Sequence, residues 1–368
     1  MPPRRRRARW YLVPLAVVAV AAGIGVGRAF WQPQSPPAPS NPAAPFVPSS
    51  GGGVTGATDV SAKVDPTLVI INTTLGYQGT GAAGTGIVLS SNGEILTNNH
   101  VIEGATSVSA TDIGNGRTYT ATVVGYDQAR DLAVLQLKNA SGLATAKLGD
   151  SSKVAVGDAV TAIGNAGGTG TPTTATGNVT ALDQSVTASD PGTGTSERLT
   201  GMIEVDADVQ AGDSGGSLVD ATGAVIGIDT AGADTSVSGP QQATSQGFAI
   251  PINTALPVAR QIMAGQAGTD VHIGPTAFLG VEVATTSGTD SGTGAPVAGV
   301  ITGSPAAQAG LAEGDEITAV DGQAVDTPAA LTTIMASHSV GSRVTVQWTD
   351  AAGASHSATV TLISGPAG

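Results

Sequence analysis

The chain has 368 residues, of which 40% are hydrophobic and 3% aromatic, with Gly 52 and Pro 21. That is room for about two domains built from short strands and turns. The formal net charge is -13 and the basic residues concentrate at Arg4, Arg5, Arg6, Arg7 and Arg9, which excludes a nucleic-acid partner, while Cys 0 excludes disulfides, thiolate catalysis and cysteine-ligated metals.

After the arginines comes an apolar run from Trp10 to Gly27, interrupted by Pro14 and uncharged until Arg28. As a helix it would span about 27 Å, close to a bilayer core. Trp10, Tyr11, Phe30 and Trp31 bracket it like an interfacial belt, and the positive-inside rule puts the arginines in the cytoplasm. Residues 1–31 are therefore read as a basic N-terminus and transmembrane anchor, with the membrane as partner and everything downstream outside. The alternative is a secreted chain with a cleaved signal peptide, for which Ala19-Val20-Ala21 offers a site within the apolar run. Residues 32–57, rich in Pro, Gly, Ser and Ala, read as a disordered tether.

From residue 58 to 265 short apolar stretches alternate with turns, as in Leu68–Asn72, Gly86–Leu89, Ala133–Leu137, Ala159–Ile163 and Ala224–Ile228. Such spacing predicts a mainly β sandwich or barrel. A helix is expected over Thr254–Ala264, where Leu256, Ala259, Arg260 and Met263 recur at three and four residues. Residues 266–275 read as a linker, and a second small unit covers 276–368.

Three stretches carry chemistry. They are Leu96-Thr97-Asn98-Asn99-His100-Val101, Asp131-Leu132-Ala133-Val134-Leu135 and Gly212-Asp213-Ser214-Gly215-Gly216. Serine catalysis needs a hydroxyl, a neutral imidazole to take its proton, and a carboxylate to hold the imidazole. Ser214, His100 and Asp131 supply these in the chain order His, Asp, Ser of chymotrypsin-type proteases. Each alone has a bland reading, as a strand end or a turn; together they point to acyl transfer. The glycines let backbone N–H groups converge on one point, so the N–H groups of Gly212 and Ser214 are the candidate oxyanion hole. His272, in the linker, and His338 and His356 read as solvated surface residues. No spacing suggests a metal site, and no cofactor is expected.

With Gly84-Thr85-Gly86-Ile87-Val88 and Gly247-Phe248-Ala249-Ile250-Pro251 added, about 300 residues resemble a trypsin-like protease of the HtrA (Deg) family with a C-terminal PDZ domain, closest to its membrane-anchored or secreted actinobacterial branch. The resemblance implies a chymotrypsin-like double six-stranded β-barrel, protein or peptide substrates, and a homotrimer whose contacts the sequence does not display. It implies an extracytoplasmic serine endopeptidase. The alternative is a catalytically weak peptide-binding scaffold or chaperone of the same fold. Ala277-Phe278-Leu279-Gly280-Val281 resembles the loop that opens such a PDZ domain, where the N–H groups of Leu279, Gly280 and Val281 form a nest for a peptide C-terminal carboxylate. Pro328–Met335 is the expected groove helix. Asp208, six residues before Ser214, stands at the position that sets the floor of the S1 pocket. There it either pairs with a basic substrate side chain or lies outside a pocket for small aliphatic ones. Two departures from the family pattern are Asp213, where many relatives have Asn, and Ser217, where Pro is common.

Overall fold

In a computed structural model, residues 55–76, 80–189, 196–230, 246–284 and 294–367 are described. The anchor or signal segment and nearly all of the tether lie outside them. Among the described residues no helix is long and apolar enough to cross a membrane. The chain enters helix α1, Thr55–Val64, slightly before the expected end of the tether. Val60 and Val64, one helical turn apart, are buried against the core.

The first barrel is built from β1 (Leu68–Leu75), β2 (Thr80–Val88), β3 (Glu94–Thr97), β4 (Ser107–Asp112), β5 (Thr118–Asp127) and β6 (Leu132–Leu137). Its strand order is β5-β4-β1-β2-β3-β6, closed by pairing of β5 with β6. The second is a closed barrel of β7 (Ala159–Gly164), β8 (Thr173–Ser189), β9 (Ser196–Val205), β10 (Ser217–Asp220), β11 (Val225–Thr230) and β12 (Gly247–Pro251). Closure pairs each of the six barrel strands on both sides.

Helix α2, Ile252–Met263, starts two residues before the expected helix, directly from the end of β12. The linker contains a strand, β13 (Val271–Ile273), which pairs with β5. His272 therefore is not on a solvated linker: its ring stacks on Tyr126 with centroids 4.9 Å apart.

One apolar cluster runs through both barrels and binds them together. It contains Leu96 and Leu132 of the first barrel, Ile163 and Ile228 of the second, and Ile252 and Ile262 of α2. Each fully buried side chain of this size contributes about 1.5–3 kcal/mol. Leu96 of β3 and Leu132 of β6 lie close in sequence to His100 and Asp131, so the cluster that joins the barrels also anchors the strands that flank the turns carrying those two residues.

The second unit has its own core, including Ile317, Val344, Val346 and Trp348. Its main sheet is ordered β15 (Val281–Val283), β16 (Ala295–Val300), β17 (Glu316–Val320), β19 (Arg343–Thr349), β20 (Ser355–Thr361), with β18 (Gln323–Ala324) on β17. β14 (Ala277–Phe278) pairs with β21 (Ile363–Ser364). Both helices start at a hydroxyl cap followed by proline. Ser304 accepts from the Ala307 N–H ahead of α3 (Pro305–Ala309), and Thr327 accepts from the Ala330 N–H ahead of α4 (Pro328–Ala336). His338 is half-buried, with Nε2 3.8 Å from Asp321 Oδ2. The exposed His356 bonds to Asp350 at 2.8 Å and stacks on Trp348.

Candidate active site

Asp131 closes the turn between β5 and β6, where its N–H donates to the Gln128 carbonyl at 3.0 Å. Its φ is +53°, a left-handed conformation that Asp tolerates better than most residues. The Asn98 side chain donates to the Asp131 carbonyl at 2.9 Å and fixes the turn from below. The carboxylate is 2% exposed and grips His100 twice. Oδ1 accepts the His100 backbone N–H at 2.9 Å and Oδ2 meets the ring Nδ1 at 2.8 Å. A carboxylate in this state only accepts, so Nδ1 carries the proton and Nε2 presents its lone pair. Thr230, at the end of β11, donates a longer bond to the same Oδ2 at 3.4 Å.

The serine loop is fixed from several sides. The Thr85 N–H donates to the Ser214 carbonyl and the Thr85 hydroxyl to the Gly212 carbonyl, both at 2.9 Å. The Gly215 N–H donates to the Asp229 carbonyl at 2.8 Å. Gly215 has φ +81°, and a Cβ there would lie 2.1 Å from the Thr85 carbonyl oxygen. Only glycine fits, and the loop can lie this close to β2 for that reason. The orientation of the candidate oxyanion donors is set by the peptide planes that contain them. The Ala211 carbonyl accepts from the Gly167 N–H at 2.7 Å, and the Asp213 carbonyl from the Gly216 N–H at 2.8 Å. With the Ala211 carbonyl turned toward the 166–168 turn and the Asp213 carbonyl into its own loop, the N–H groups of Gly212 and Ser214 in the same trans planes point away from those acceptors. Among the described residues, the Gly212 N–H donates to no other group.

Gly84 on β2 is the meeting point of the two loops. A Cβ there would come within 2.6 Å of Val101 Cγ1 and 3.2 Å of the Ser214 carbonyl oxygen. The fold thus brings the histidine turn, the aspartate turn and the serine loop to one seam between the barrels. Asp208 stands apart. It is exposed, and its Oδ2 accepts from Gln210 Nε2 at 2.8 Å.

Two contributors to the seam carry no mark in the sequence. Asn98 and Asn99 are adjacent, equally buried amides, and only the fold shows which one holds Asp131. Thr230 lies at the end of β11, directly after Asp229 and some distance from any recognised motif.

In the second unit, the Leu279 carbonyl accepts from the Ala306 N–H at 2.9 Å, and the Gly280 carbonyl from the Ile301 N–H at 3.0 Å and the Ser304 hydroxyl at 3.2 Å. Gly280 has φ +88°, and a Cβ there would strike Ser304 Cβ at 2.1 Å. Both carbonyls are thereby tied inward, and Val281 enters β15 beside Val300 of β16. Among the described residues the N–H groups of Leu279 and Gly280 donate to no other group.

Comparison with known proteins matches residues 84–228 to the trypsin-like peptidase domain and residues 277–352 to the PDZ domain. The chain is 34% identical to serine protease PepD of Mycobacterium tuberculosis over 95% of its own length and 76% of the relative's. It is 34% identical to periplasmic serine endoprotease DegP of Escherichia coli over 72% of its length, and spans 54% of that relative. Among solved structures, the HtrA-type protease AlgW with tripeptide is 31% identical, with a TM-score of 0.48, over 85% of this chain and 98% of that one.

The Thr230 contact gives a direct test. Thr230→Val keeps the shape and removes the hydroxyl. One lost hydrogen bond to a charged acceptor is worth roughly 1 kcal/mol at this length, or about fivefold in rate. We expect kcat for peptide hydrolysis to fall by that order with KM little changed, measured by steady-state kinetics.

Proposed function

Because the chain belongs to the HtrA (Deg) family of trypsin-like serine proteases and carries a PDZ domain, we propose that it is an extracytoplasmic endopeptidase that cleaves unstructured or misfolded polypeptides, with Ser214, His100 and Asp131 as its catalytic residues. The observation that carries this reading is the double grip of Asp131 on His100. Ser214 Oγ attacks the substrate carbonyl carbon while its proton passes to His100 Nε2. The carbonyl oxygen takes up the negative charge and is met by the N–H groups of Gly212 and Ser214. When the C–N bond breaks, the proton on Nε2 goes to the leaving amine, and an acyl-enzyme remains. Water then repeats the sequence with the same base and frees Ser214. Asp131 stays ionised throughout and stabilises the imidazolium that forms twice per cycle.

A catalytically weak scaffold or chaperone of the same fold is the second reading. It leaves the retained Asp131–His100 geometry without a use. An active-site fluorophosphonate probe separates the two. The wild type is expected to be labelled and to digest casein, and Ser214→Ala to lose labelling and about 10⁴-fold or more in kcat. An unlabelled wild type, or a Ser214→Ala variant that digests casein at the wild-type rate, contradicts the catalytic reading.

The PDZ domain is proposed to bind the free C-termini of polypeptides at Leu279, Gly280 and Val281 and to influence catalysis. Its two chain ends offer a physical route. At the near end, Arg130 pairs with Asp127 and reaches Asp270 at 3.5 Å, and the Tyr126 hydroxyl meets Thr276 at 3.2 Å. Arg130 is the neighbour of Asp131. At the far end, the Gly104 N–H donates to the Ala367 carbonyl at 2.7 Å and the Ala367 N–H to the Ala105 carbonyl at 3.0 Å, just after the histidine turn. A peptide that shifts the PDZ roots therefore pulls on the segments next to both residues, provided it binds one arrangement better than the other. Peptides with a free apolar C-terminus are expected to bind, and C-terminal amidation to weaken binding at least tenfold in a fluorescence-polarisation titration. Equal affinity for both forms contradicts the carboxylate site.

Membrane anchoring through residues 1–31 completes the proposal, supported by the arginines ahead of the apolar run. Alkaline phosphatase fused after residue 60 is expected to be active. Activity of a cytoplasmic reporter at that junction instead reverses the topology, and a membrane-free form beginning near Ala22 identifies a cleaved signal peptide.

A further inference from the structure

Next to Ser214 and its loop lie two buried acids, and among the described residues neither is paired with a cation. Asp213 is 4% exposed and Asp229 is 0% exposed. Their surroundings differ. The Asp213 carboxylate accepts the Gln210 N–H at 3.0 Å and the Thr173 hydroxyl at 3.4 Å. Neither oxygen of Asp229 has a hydrogen-bond partner of normal geometry. The nearest backbone donor, the Ile163 N–H, offsets only part of the burial penalty. The charged groups facing this pair are all acidic. Asp213 acts on Asp229, and Asp208, farther out, acts on Asp213. The strands packed around Asp229 contribute Ser217 on β10, Ile163 on β7 and Ala249 on β12, none of them charged. Across β11, on its other face, Thr230 meets Asp131.

A carboxylate without donors, in a dry site and beside another acid, is far more stable protonated. Burial raises the Asp213 carboxyl as well, but the Gln210 and Thr173 donors offset part of that, so Asp213 is the member of the pair that ionises first and Asp229 the one that keeps its proton longer. The backbone of Asp229 is also the strap of the nucleophile loop. Its carbonyl accepts from Gly215 at 2.8 Å and its N–H donates to the Gly216 carbonyl at 2.9 Å.

We propose that Asp229 is a positioning residue that must stay protonated for the Gly212–Gly216 loop to hold its catalytic shape, so that its ionisation sets an upper pH limit on the protease. Loss of that proton puts a second negative charge next to Asp213. Relief requires water to enter or β11 to shift, and either displaces the residues bonded to Gly215, Gly216 and Asp131. Burial first, and the Asp213 charge second, hold the Asp229 carboxyl well above the usual carboxylate value of 3.8. A carboxyl whose value is raised by folding contributes its full stability below the unfolded value. That contribution is lost as pH climbs from there through the folded value. The limit is therefore on the alkaline side, opposite to the acid limb on which His100 takes up a proton.

The test is the pH profile of kcat/KM for wild type, Asp229→Asn and Asp213→Asn. In the wild type we expect a fall of tenfold or more above the plateau. That limb should vanish in Asp229→Asn, whose side chain stays neutral at every pH. It should begin at lower pH in Asp213→Asn, because the neighbouring charge that favours the protonated form is gone. An alkaline limb unchanged in Asp229→Asn overturns the proposal. The inference rests on Ser214 as nucleophile only for this readout. The second readout, thermal midpoint against pH in the Ser214→Ala background, needs no activity. There the midpoint with Asp229 should fall relative to that with Asn as pH rises. Parallel curves also overturn the proposal.

Discussion

The structure turns on one carboxylate. Asp131 is 2% exposed, and an ionised group that deep would be costly without donors. Its donors are the backbone N–H and ring of His100, with the Thr230 hydroxyl farther off. The first ties the histidine turn, the second fixes the tautomer, and the third reaches in from the other barrel. Charge-assisted bonds of this kind are roughly twice as strong as neutral ones. The burial that makes them strong is supplied by the cluster of Leu96, Leu132, Ile163 and Ile228 joining the barrels. Packing and chemistry therefore rest on the same residues: separating the barrels would expose the cluster and hydrate Asp131 together.

β11 serves both halves of the seam with consecutive residues. The Asp229 backbone holds the serine loop and the Thr230 side chain holds Asp131. A small movement of this strand changes both, and the two ends of the PDZ domain are bonded beside the aspartate and histidine turns, at Arg130 and at Gly104 and Ala105. The left-handed backbone of Asp131 and the glycines that admit close approach at Gly84 and Gly215 belong to the same arrangement. Each accepts a local cost so that loops from separate strands can share one small volume.

Much of this was legible in the sequence, for identifiable reasons. His100, Asp131 and Ser214 sit in short motifs whose order restricts the chemistry. The short apolar stretches point to the β class, and the expected groove helix Pro328–Met335 falls within α4, Pro328–Ala336. What could not be read depends on context. β11 is buried along its whole length, so it shows no inside-outside alternation that would single out Asp229 or Thr230 as facing inward. Residues 266–275 looked like a linker because β13 is only three residues long and is stabilised by its partner β5. Helix α1 has a polar, glycine-containing sequence, and it is Val60 and Val64 that bury it against the core.

The central claim is that Ser214 forms the covalent intermediate while the Gly212 and Ser214 N–H groups hold the oxyanion and Asp131 holds His100. A crystal structure of the protein with a peptidyl boronic acid tests it most directly. We expect boron bonded to Ser214 Oγ, one boron oxygen within about 2.7–3.1 Å of both N–H groups, and the Asp131–His100 bonds intact. A boronate bonded elsewhere, or bonded to Ser214 with its oxygen turned away from those two donors, would contradict the account.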